Sequence, residues 1–432
     1  MKTPVDNNPG KDPTLLLLAY AFPPSAAVGA LRCWNMAKQL SRLGWRVTVV
    51  TIDPEILATP RDASLVARDC ATLGIGRILT GHGLRFLTGG WLVQRWWERF
   101  WGVQLLGKAI RRTGVVALER GWWGPLRNAC LSLKHGDFDL VLASGPPHEL
   151  FVHASEIARR VGARCVLDYR DLWMDNPHGP RRRERKRLDQ ERTALANADC
   201  VIVASPSMFE FLAPKRRPRA VDLVLFNGYE PEDFESVPAE QLPEGAVVYA
   251  GMLYPPKNVI DPVLDAIITA NRLASSESKR LKLHYYGPNA RDVRAAVSAR
   301  GADNDVAVHG VVARREVIGA LKGCMCAAVI STTGQRSSGA ERTIVTSKIF
   351  EAMGAGARIL LITPTDSDAR SVLDDSGAGR AFSSLETEAA GVWLREISED
   401  RKDALPRDTS KYAWPMAARR LDGVLRDLAG KA

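Results

Sequence analysis

The feature that most constrains the fold of this chain is an alternation of short apolar runs with longer stretches of helical periodicity. Leu15–Tyr20 is an uninterrupted apolar run, and Arg46–Ile52 is a second run rich in β-branched residues. Between them, Leu31–Leu43 carries apolar residues at helical spacing and is followed by Gly44, a residue type that commonly ends helices. Strands that are apolar throughout are typical of parallel sheets covered on both faces. A strand, a helix and a strand in this order predict a parallel βαβ unit.

The same alternation recurs in two series along the chain. The first series continues with strands predicted at Leu140–Ala143, Cys165–Tyr169, Cys200–Ala204 and Val221–Phe226. The second series has strands predicted at Ala246–Ala250, Leu281–Tyr286, Val306–His309, Ala327–Ile330 and Ile359–Ile362. Stretches of helical periodicity separate most of these strands. The sequence therefore predicts an α/β protein with two doubly wound Rossmann-like domains that face each other across a cleft.

The two series also give the predicted domain boundaries. Residues 1–13 are polar and proline-containing, so we expect a disordered tail. The first Rossmann-like domain is predicted at residues 14–228 and the second at residues 246–410. Residues 229–245 between them are rich in proline and acidic side chains, which is typical of a linker.

Composition narrows the class of protein. With 46% hydrophobic and 25% charged residues, the 432-residue chain has the composition of a globular protein, and not of a disordered, collagen-like or coiled-coil one. The apolar run that ends at Phe22 is far shorter than the roughly 20 residues of a membrane-spanning helix, and Pro23 stops it. Neither a transmembrane segment nor a signal peptide is therefore expected. Seven scattered cysteines without metal-binding spacing indicate reduced thiols and a cytoplasmic protein.

The net charge of +10 favours an anionic partner, which can be nucleic acid, a membrane surface or a phosphorylated substrate. No zinc-finger spacing or RNA-recognition pattern is present, so nucleic acid is not an expected partner. Six of the eleven tryptophans lie between Trp91 and Trp123, and Arg181–Arg187 is almost entirely basic. These segments favour a peripheral contact with the anionic inner face of the plasma membrane, or an apolar surface for the acceptor. A helix pair covering the first sheet and a solvated helix start are the alternatives. Failure to co-sediment with anionic vesicles at low salt would overturn membrane contact.

Two segments of the first predicted domain carry candidate chemistry. The loop Pro23–Ala30 follows a strand and opens a helix, and small residues such as Gly29 let backbone N–H groups approach an anion there. The loop lacks the dinucleotide fingerprint, so NAD is not predicted. Asp168, Arg170 and Asp171 lie at the exit of another strand, where ligands of α/β sheets bind. A plain connection, and an ion pair between Arg170 and a neighbouring carboxylate, are the alternatives.

Two segments of the second predicted domain carry candidate phosphate-binding residues. Gly251 permits close backbone approach, and Lys257 is a cation suited to neutralising a diphosphate. Thr346 or Ser347 can cap a helix whose first amides are able to hold phosphate oxygens. Glu351 lies one turn later and is suited to accept hydrogen bonds from a ribose diol. A surface role for Lys257, and a capping or solvated role for Glu351, are the alternatives.

Two Asp-x-Asp pairs have a spacing that can bind a metal diphosphate. They are formed by Asp137 with Asp139 and by Asp366 with Asp368. The pattern is too short to be specific, and no His/Cys/Asp cluster has zinc-binding spacing. No metal ion and no other cofactor is therefore predicted.

Short motifs occur in a fixed order over nearly the whole chain. They are P-P-S-A-A-V-G-A-L-R at Pro23–Arg32, S-G-P-P-H at Ser144–His148, D-Y-R-D-L-W at Asp168–Trp173, N-G-Y at Asn227–Tyr229, Y-A-G-M-L-Y at Tyr249–Tyr254, Y-Y-G at Tyr285–Gly287, H-G at His309–Gly310 and S-K-I-F-E-A-M-G-A-G at Ser347–Gly356. This ordered set resembles the glycosyltransferase family 4 group, retaining sugar-nucleotide enzymes of the GT-B fold. It is most similar to bacterial members that build surface polysaccharides and glycolipids.

The resemblance implies that the second domain binds a nucleotide diphosphate-sugar and the first domain binds the acceptor. Lys257 matches the diphosphate-binding lysine of the family, and Glu351 matches the ribose-contacting glutamate of its E-x7-E motif. The other glutamate of that motif is replaced by Thr343, with Glu341 two residues away. Met252 stands where many members have a second cation.

The resemblance also implies roles for individual residues. Arg170 lies about where many members have a histidine near the transferred sugar, and catalytic roles are predicted for Arg170, Asp171 and Lys257. The predicted donor-binding residues are Gly29, Gly251, Lys257, Gly310, Ser347, Lys348 and Glu351. Residues 411–432 are expected to form a C-terminal helix that crosses back to the first domain.

The predicted function is transfer of a sugar from a nucleotide diphosphate-sugar to a polysaccharide precursor or lipid-linked acceptor, with retention and without metal. A non-catalytic protein of the same fold that binds nucleotide sugars is the first alternative, because Thr343 replaces a glutamate. A sugar-nucleotide epimerase is the second.

Overall fold

The computed structural model describes residues 12–25, 28–56, 68–81, 121–176, 185–216, 221–276, 279–334, 339–399 and 408–430. The predicted disordered tail lies almost wholly outside these residues. Most of the tryptophan-rich segment and the first four residues of the basic run also lie outside them. Membrane contact through those segments therefore stays a prediction. Among the described residues, no helix is both long enough and apolar enough to cross a bilayer.

The first sheet is parallel and has seven strands in the described part of the chain, in the order β3-β2-β1-β4-β5-β6-β7. The strands are β1 (Thr14–Ala19), β2 (Arg46–Ile52), β3 (Gly76–Thr80), β4 (Leu140–Gly145), β5 (Arg164–Tyr169), β6 (Cys200–Val203) and β7 (Val221–Val224). Strand β1 pairs with β2 on one side and β4 on the other. Leu15 to Leu18 are each at most 1% exposed. The apolar run thus forms a central strand covered on both faces, as its composition predicts.

Helices connect the strands of the first sheet. Their bounds are α1 (Val28–Arg42), α2 (Arg68–Thr72), α3 (Trp123–Cys130), α4 (Leu150–Val161), α5 (Arg185–Asn197) and α6 (Met208–Leu212). Helix α1 turns Ala30, Cys33, Ala37 and Leu40 into the core, at the three- and four-residue spacing of one helix face.

The second sheet is also parallel and has six strands among the described residues, in the order β10-β9-β8-β11-β12-β13. The strands are β8 (Ala246–Ala250), β9 (Lys282–Tyr286), β10 (Val306–Gly310), β11 (Cys326–Ile330), β12 (Ile359–Ile362) and β13 (Gly379–Phe382). Val247 and Tyr249 pack into one core cluster and Val248 into the other, which shows the two-residue alternation of a sheet with both faces covered. The predicted fold class of two doubly wound parallel sheets is confirmed.

The helices of the second series follow the expected alternation. Their bounds are α7 (Pro231–Glu235), α8 (Asp261–Arg272), α9 (Ala290–Ser298), α10 (Arg314–Gly323), α11 (Ser347–Gly354), α12 (Asp368–Ser376), α13 (Thr387–Glu399) and α14 (Trp414–Ala429). Helix α7 lies inside the segment predicted as a linker. Its Phe234 is buried with Val237 and Ile318, so this segment packs on helix α10.

The chain divides into two compact units. Unit 1 comprises residues 1–204, 209–225 and 418–432, and unit 2 comprises residues 205–208 and 226–417. Helix α14 therefore begins in unit 2 and ends in unit 1. All seven cysteines are free, and all but one of them are buried.

Candidate functional site

Each sheet has one point at which the strand order reverses. In the first sheet the chain builds outward from β1 to β3 and then returns to place β4 on the other side of β1. In the second sheet it builds from β8 to β10 and returns to place β11 beside β8. Loops diverge at the carboxyl ends of such neighbouring strands and leave a crevice in which α/β proteins bind their ligands. The residues that follow these four strands are therefore the candidate sites.

Arg170 lies at the reversal point of the first sheet. Its Nε donates to the Gly145 carbonyl at 3.0 Å, and its Nη2 donates to the Pro146 carbonyl, both where β4 ends. The guanidinium also lies directly against Gly29, where a Cβ atom would overlap it. Gly29 is thus needed to make room for an arginine. The sequence predicted instead that the glycine admits an anion.

The carboxylate beside Arg170 has a different partner. Arg32 donates from Nε and Nη2 to the two oxygens of Asp168, at 3.0 and 2.7 Å, and both side chains are at most 1% exposed. Ser144 Oγ donates to the same carboxylate at 2.7 Å, and Arg32 Nη2 reaches the Leu225 carbonyl at 2.9 Å. The carboxylate that precedes Arg170 in the chain is thus paired with Arg32. The network ties helix α1 to strands β4 and β5.

His148 holds the backbone next to Arg170. Its Nε2 lies 2.8 Å from the Asp171 carbonyl, which can only accept, so Nε2 carries the proton. Burial lowers the pKa of His148 to about 3, and the ring stacks on Trp173 at an interplanar angle of 14°. The imidazole is thus buried and holds the backbone of the loop at Asp171. The side chain of Asp171 is exposed, and its catalytic role stays a prediction.

Gly251 and Lys348 meet at the reversal point of the second sheet. Gly251 has a φ of +126°, a value that L side chains rarely adopt, and donates its N–H to the Tyr286 carbonyl at 2.7 Å. A Cβ atom at Gly251 would overlap the Lys348 side chain. Burial lowers the pKa of Lys348, and the nearby charge of Glu351 partly opposes that shift. The sequence predicted that a ligand approaches the backbone at Gly251. Among the described residues, the Lys348 side chain is the group that lies against it.

Lys257 is held between the two loops that diverge at this point. Its carbonyl accepts from the Thr333 N–H at 2.8 Å, across the loop that follows β11. The ammonium Nζ lies 2.9 Å from Glu341 Oε1. Sequence reasoning did not assign Glu341 to the site. The signal that could have found it is its proximity to Thr343, where the family motif has a glutamate.

Glu351 lies one turn into helix α11 and is only partly exposed. Burial raises the pKa of its carboxyl, and the positive charges of Arg314 and Lys348 oppose that shift in part. The helix is capped by Thr346, whose side chain accepts from the Lys348 N–H at 3.5 Å. Ser347 is therefore the first helical residue, and its N–H is among the amides left without an intrahelical acceptor.

Gly310 joins the same edge through the backbone. Its carbonyl accepts from the Gly287 N–H at 2.7 Å, and a Cβ atom at Gly287 would overlap the Gly251 carbonyl. Within unit 2, three predicted donor-binding residues thus lie close together at the carboxyl edge of one sheet: Gly251 follows β8, Gly310 ends β10 and Lys348 is in the first turn of helix α11.

We predict that Glu351→Gln makes the protein more stable at neutral pH. Because the folded-state pKa of Glu351 is raised, the folded protein binds its proton more tightly, and stability falls as pH rises through that pKa. The uncharged isostere removes this loss. Its melting temperature should exceed that of the wild type at pH 7, and the difference should vanish towards the ordinary glutamate pKa of about 4.3. The exposed Glu388→Gln is the control, and equal destabilisation at both pH values would contradict the prediction.

Comparison with protein families gives a match that lies mostly in the first unit. Residues 29–228 match the family of glycosyl transferase 4-like domains. This segment, slightly less than half of the chain, is therefore similar to that family. The resemblance drawn from the motifs is thereby confirmed, and glycosyltransferase is the class of the protein. Comparison with curated protein sequences gives no match.

Solved structures of similar fold cover almost the entire chain. Sucrose-phosphate synthase of Thermosynechococcus elongatus is 13% identical, with a TM-score of 0.60 over 97% of this chain and 100% of its own. HepE of Anabaena in complex with UDP and glucose is 13% identical, with a TM-score of 0.53 over 97% of both chains. The lipopolysaccharide outer core galactosyltransferase WaaB is 11% identical, with a TM-score of 0.57 over 96% of this chain and 99% of its own. At this identity the likeness establishes the shared GT-B fold.

Proposed function

We propose that the protein transfers a sugar from a nucleotide diphosphate-sugar to a polysaccharide precursor or a lipid-linked acceptor, with retention and without a metal ion. The observation that carries the proposal is the cluster at the carboxyl edge of the second sheet. There the loop that follows β8 carries Gly251 and Lys257, and the first turn of helix α11 carries Lys348, whose side chain lies against Gly251. Cations, a backbone that can be approached closely and free helical amides suit a diphosphate.

The chemistry required is stabilisation of a leaving diphosphate. Negative charge accumulates on the diphosphate as its bond to the sugar breaks, and groups held in place beforehand lower the barrier most. In the proposal, Lys257 and the amides that begin with Ser347 supply this stabilisation. Lys348 is half-buried and adds a second amine next to Gly251, where desolvation lowers its pKa and the charge of Glu351 favours the ammonium form. The two lysines take the place that a metal ion has in other transferases.

Glu351 is assigned to the ribose of the donor. It has no hydrogen bond to another side chain among the described residues, and its charge is disfavoured by burial. Two hydroxyl donors from a ribose diol would satisfy that carboxylate. The HepE structures with UDP and with UDP-glucose support a uridine nucleotide as the first donor to test.

Arg170 and Asp171 are assigned catalytic roles in the first unit. The two carbonyls that hold the Arg170 guanidinium fix its position at the reversal point of the sheet. In the proposal its charge stabilises negative charge that develops during transfer. Retention is proposed from the resemblance to the family and is tested by the configuration of the product.

We predict that one class of nucleotide sugar raises the melting temperature of the protein. A ligand that binds only the folded state stabilises it by mass action, and at about 100 times its Kd the rise should be about 3–5 °C. The screen compares UDP-, GDP-, ADP- and dTDP-sugars. Glu351→Ala should abolish the shift and raise the donor KM sharply. Lys257→Ala should lower turnover, measured as release of the nucleoside diphosphate.

The exposed Glu388→Ala serves as the control and should shift like the wild type. Unchanged kinetics in both site variants would overturn the assignment of the donor site. A shift without release of nucleoside diphosphate would favour the non-catalytic binding protein, for which the Thr343 replacement is the supporting observation. Conversion of the donor without any acceptor would indicate an epimerase.

A further inference from the structure

The ion pair between Lys257 and Glu341 is a feature that the proposed function does not explain. Nζ and Oε1 are 2.9 Å apart, and the side chains are 38% and 10% exposed respectively. The carboxylate is therefore the more buried partner. A carboxylate withdrawn from water needs a compensating charge or hydrogen bonds, and the ammonium supplies one here.

Both ends of this ion pair are fixed through the backbone. The Lys257 carbonyl accepts from the Thr333 N–H at 2.8 Å and from its Oγ1 at 3.1 Å. Glu341 belongs to the 3₁₀ turn Gly339–Thr343, in which Thr343 Oγ1 donates to the Ala340 carbonyl at 2.7 Å. Two anchored segments thus present opposite charges to each other. The Lys257 ammonium is positioned by the Glu341 carboxylate, which belongs to the 3₁₀ turn.

We propose that Glu341 is a positioning residue that also tunes the charge of the diphosphate site. This inference rests on the proposed function, in which Lys257 binds the diphosphate. An ammonium has three N–H donors, so one ammonium can bond to a carboxylate and to phosphate oxygens at the same time. The adjacent negative charge subtracts from the attraction that Lys257 exerts on a diphosphate. Glu341 thus orients Lys257 for transfer and weakens the hold of the site on the nucleoside diphosphate product.

Two substitutions separate position from charge. Glu341→Gln keeps an acceptor oxygen for Lys257 and removes the charge, whereas Glu341→Ala removes both. Binding is measured by calorimetry with UDP and with inorganic pyrophosphate. Glu341→Gln should bind both probes about fivefold more tightly than the wild type at low salt, with a smaller difference at high salt. Glu341→Ala should bind at least about threefold more weakly than Glu341→Gln, because the ammonium is no longer held.

The exposed Glu388→Gln removes a charge far from Lys257 in the sequence and should bind like the wild type. A purely structural Glu341 would lower the melting temperature of both variants and tighten neither probe, which would overturn the inference. Equal tightening in both variants would overturn the positioning role. Lys257→Ala distinguishes failure of the proposed donor site from failure of the inference about Glu341. If it binds as tightly as the wild type, the donor site itself is wrong. If it binds more weakly while Glu341→Gln does not tighten, only the inference about Glu341 fails.

Discussion

Replacing Arg32 by methionine is expected to lower the free energy of unfolding by about 3–5 kcal/mol, the usual loss when one partner of a buried ion pair is removed. The Asp168 carboxylate is fully buried and receives two hydrogen bonds from Arg32. In the variant, Ser144 would remain as its partner from the described network. The negative charge of Asp168 would then be buried without a positive partner, and Ser144 would be its hydrogen-bond donor from this network. Denaturant unfolding measures the loss.

The matched control is Arg46→Met, at the exposed start of β2, which should change the free energy of unfolding little. A double variant, Arg32→Met with Asp168→Leu, should recover most of the lost stability, since buried pairs replaced by apolar groups are often neutral. A loss below about 1 kcal/mol for Arg32→Met would show that the pair contributes no more than an exposed one does.

Replacing Gly29 by alanine is expected to reduce turnover about a hundredfold, the usual loss when one charge-stabilising group leaves an active site. The added Cβ would displace the Arg170 guanidinium from the two carbonyls that hold it. The global fold should be unaffected, because only the end of a side chain has to move. Alanine is also favoured over glycine inside a helix by about 0.5–1 kcal/mol. Activity and stability should therefore change in opposite directions.

Turnover is measured as nucleoside diphosphate released from the donor that the melting screen identifies. Arg170→Ala should cause a similar loss, and the double variant should lose no more than either single one, because both changes remove the same group. Gly124→Ala is the matched control, since nothing lies within 4 Å of a Cβ atom there. Additive losses in the double variant would show that Gly29 acts independently of Arg170.

The central strands were predictable from the sequence, and so were the edge strands β7 and β10, whereas the edge strands β3 and β13 were not. Strand β1 is buried along its whole length, and burial on both faces selects the apolar run that identifies it. Strands β3 and β13 are edge strands of partial exposure. Half-exposed positions accept polar and small residues, so these segments carry no continuous apolar signal. Helix α7 was missed for a similar reason. It has only five residues and lies in a proline-rich stretch, so its sequence resembles that of a linker.

The site was predictable in its location and less so in its contacts. Strand order places the loops after β1, β4, β8 and β11 at the two reversal points, and the motifs single out residues in them. Which charges pair there depends on side chains that come from distant parts of the sequence. Asp168, which precedes the predicted site residue Arg170 by two positions, binds Arg32 of helix α1. Lys257 was expected to face a ligand and also contacts Glu341.

Helix α14 has a consequence for the order in which the protein is made. Its last part belongs to unit 1, where Asp422 accepts a hydrogen bond from Trp45 Nε1 at 2.7 Å and Arg426 donates to the Leu43 carbonyl at 2.6 Å. A ribosome that has synthesised the chain as far as Leu225 has delivered the seven strands that the structure describes in the first sheet. It has not yet delivered the helix that covers the turn after α1. Domains generally fold as they emerge, but this one starts first and is completed only after the second half of helix α14 has left the exit tunnel.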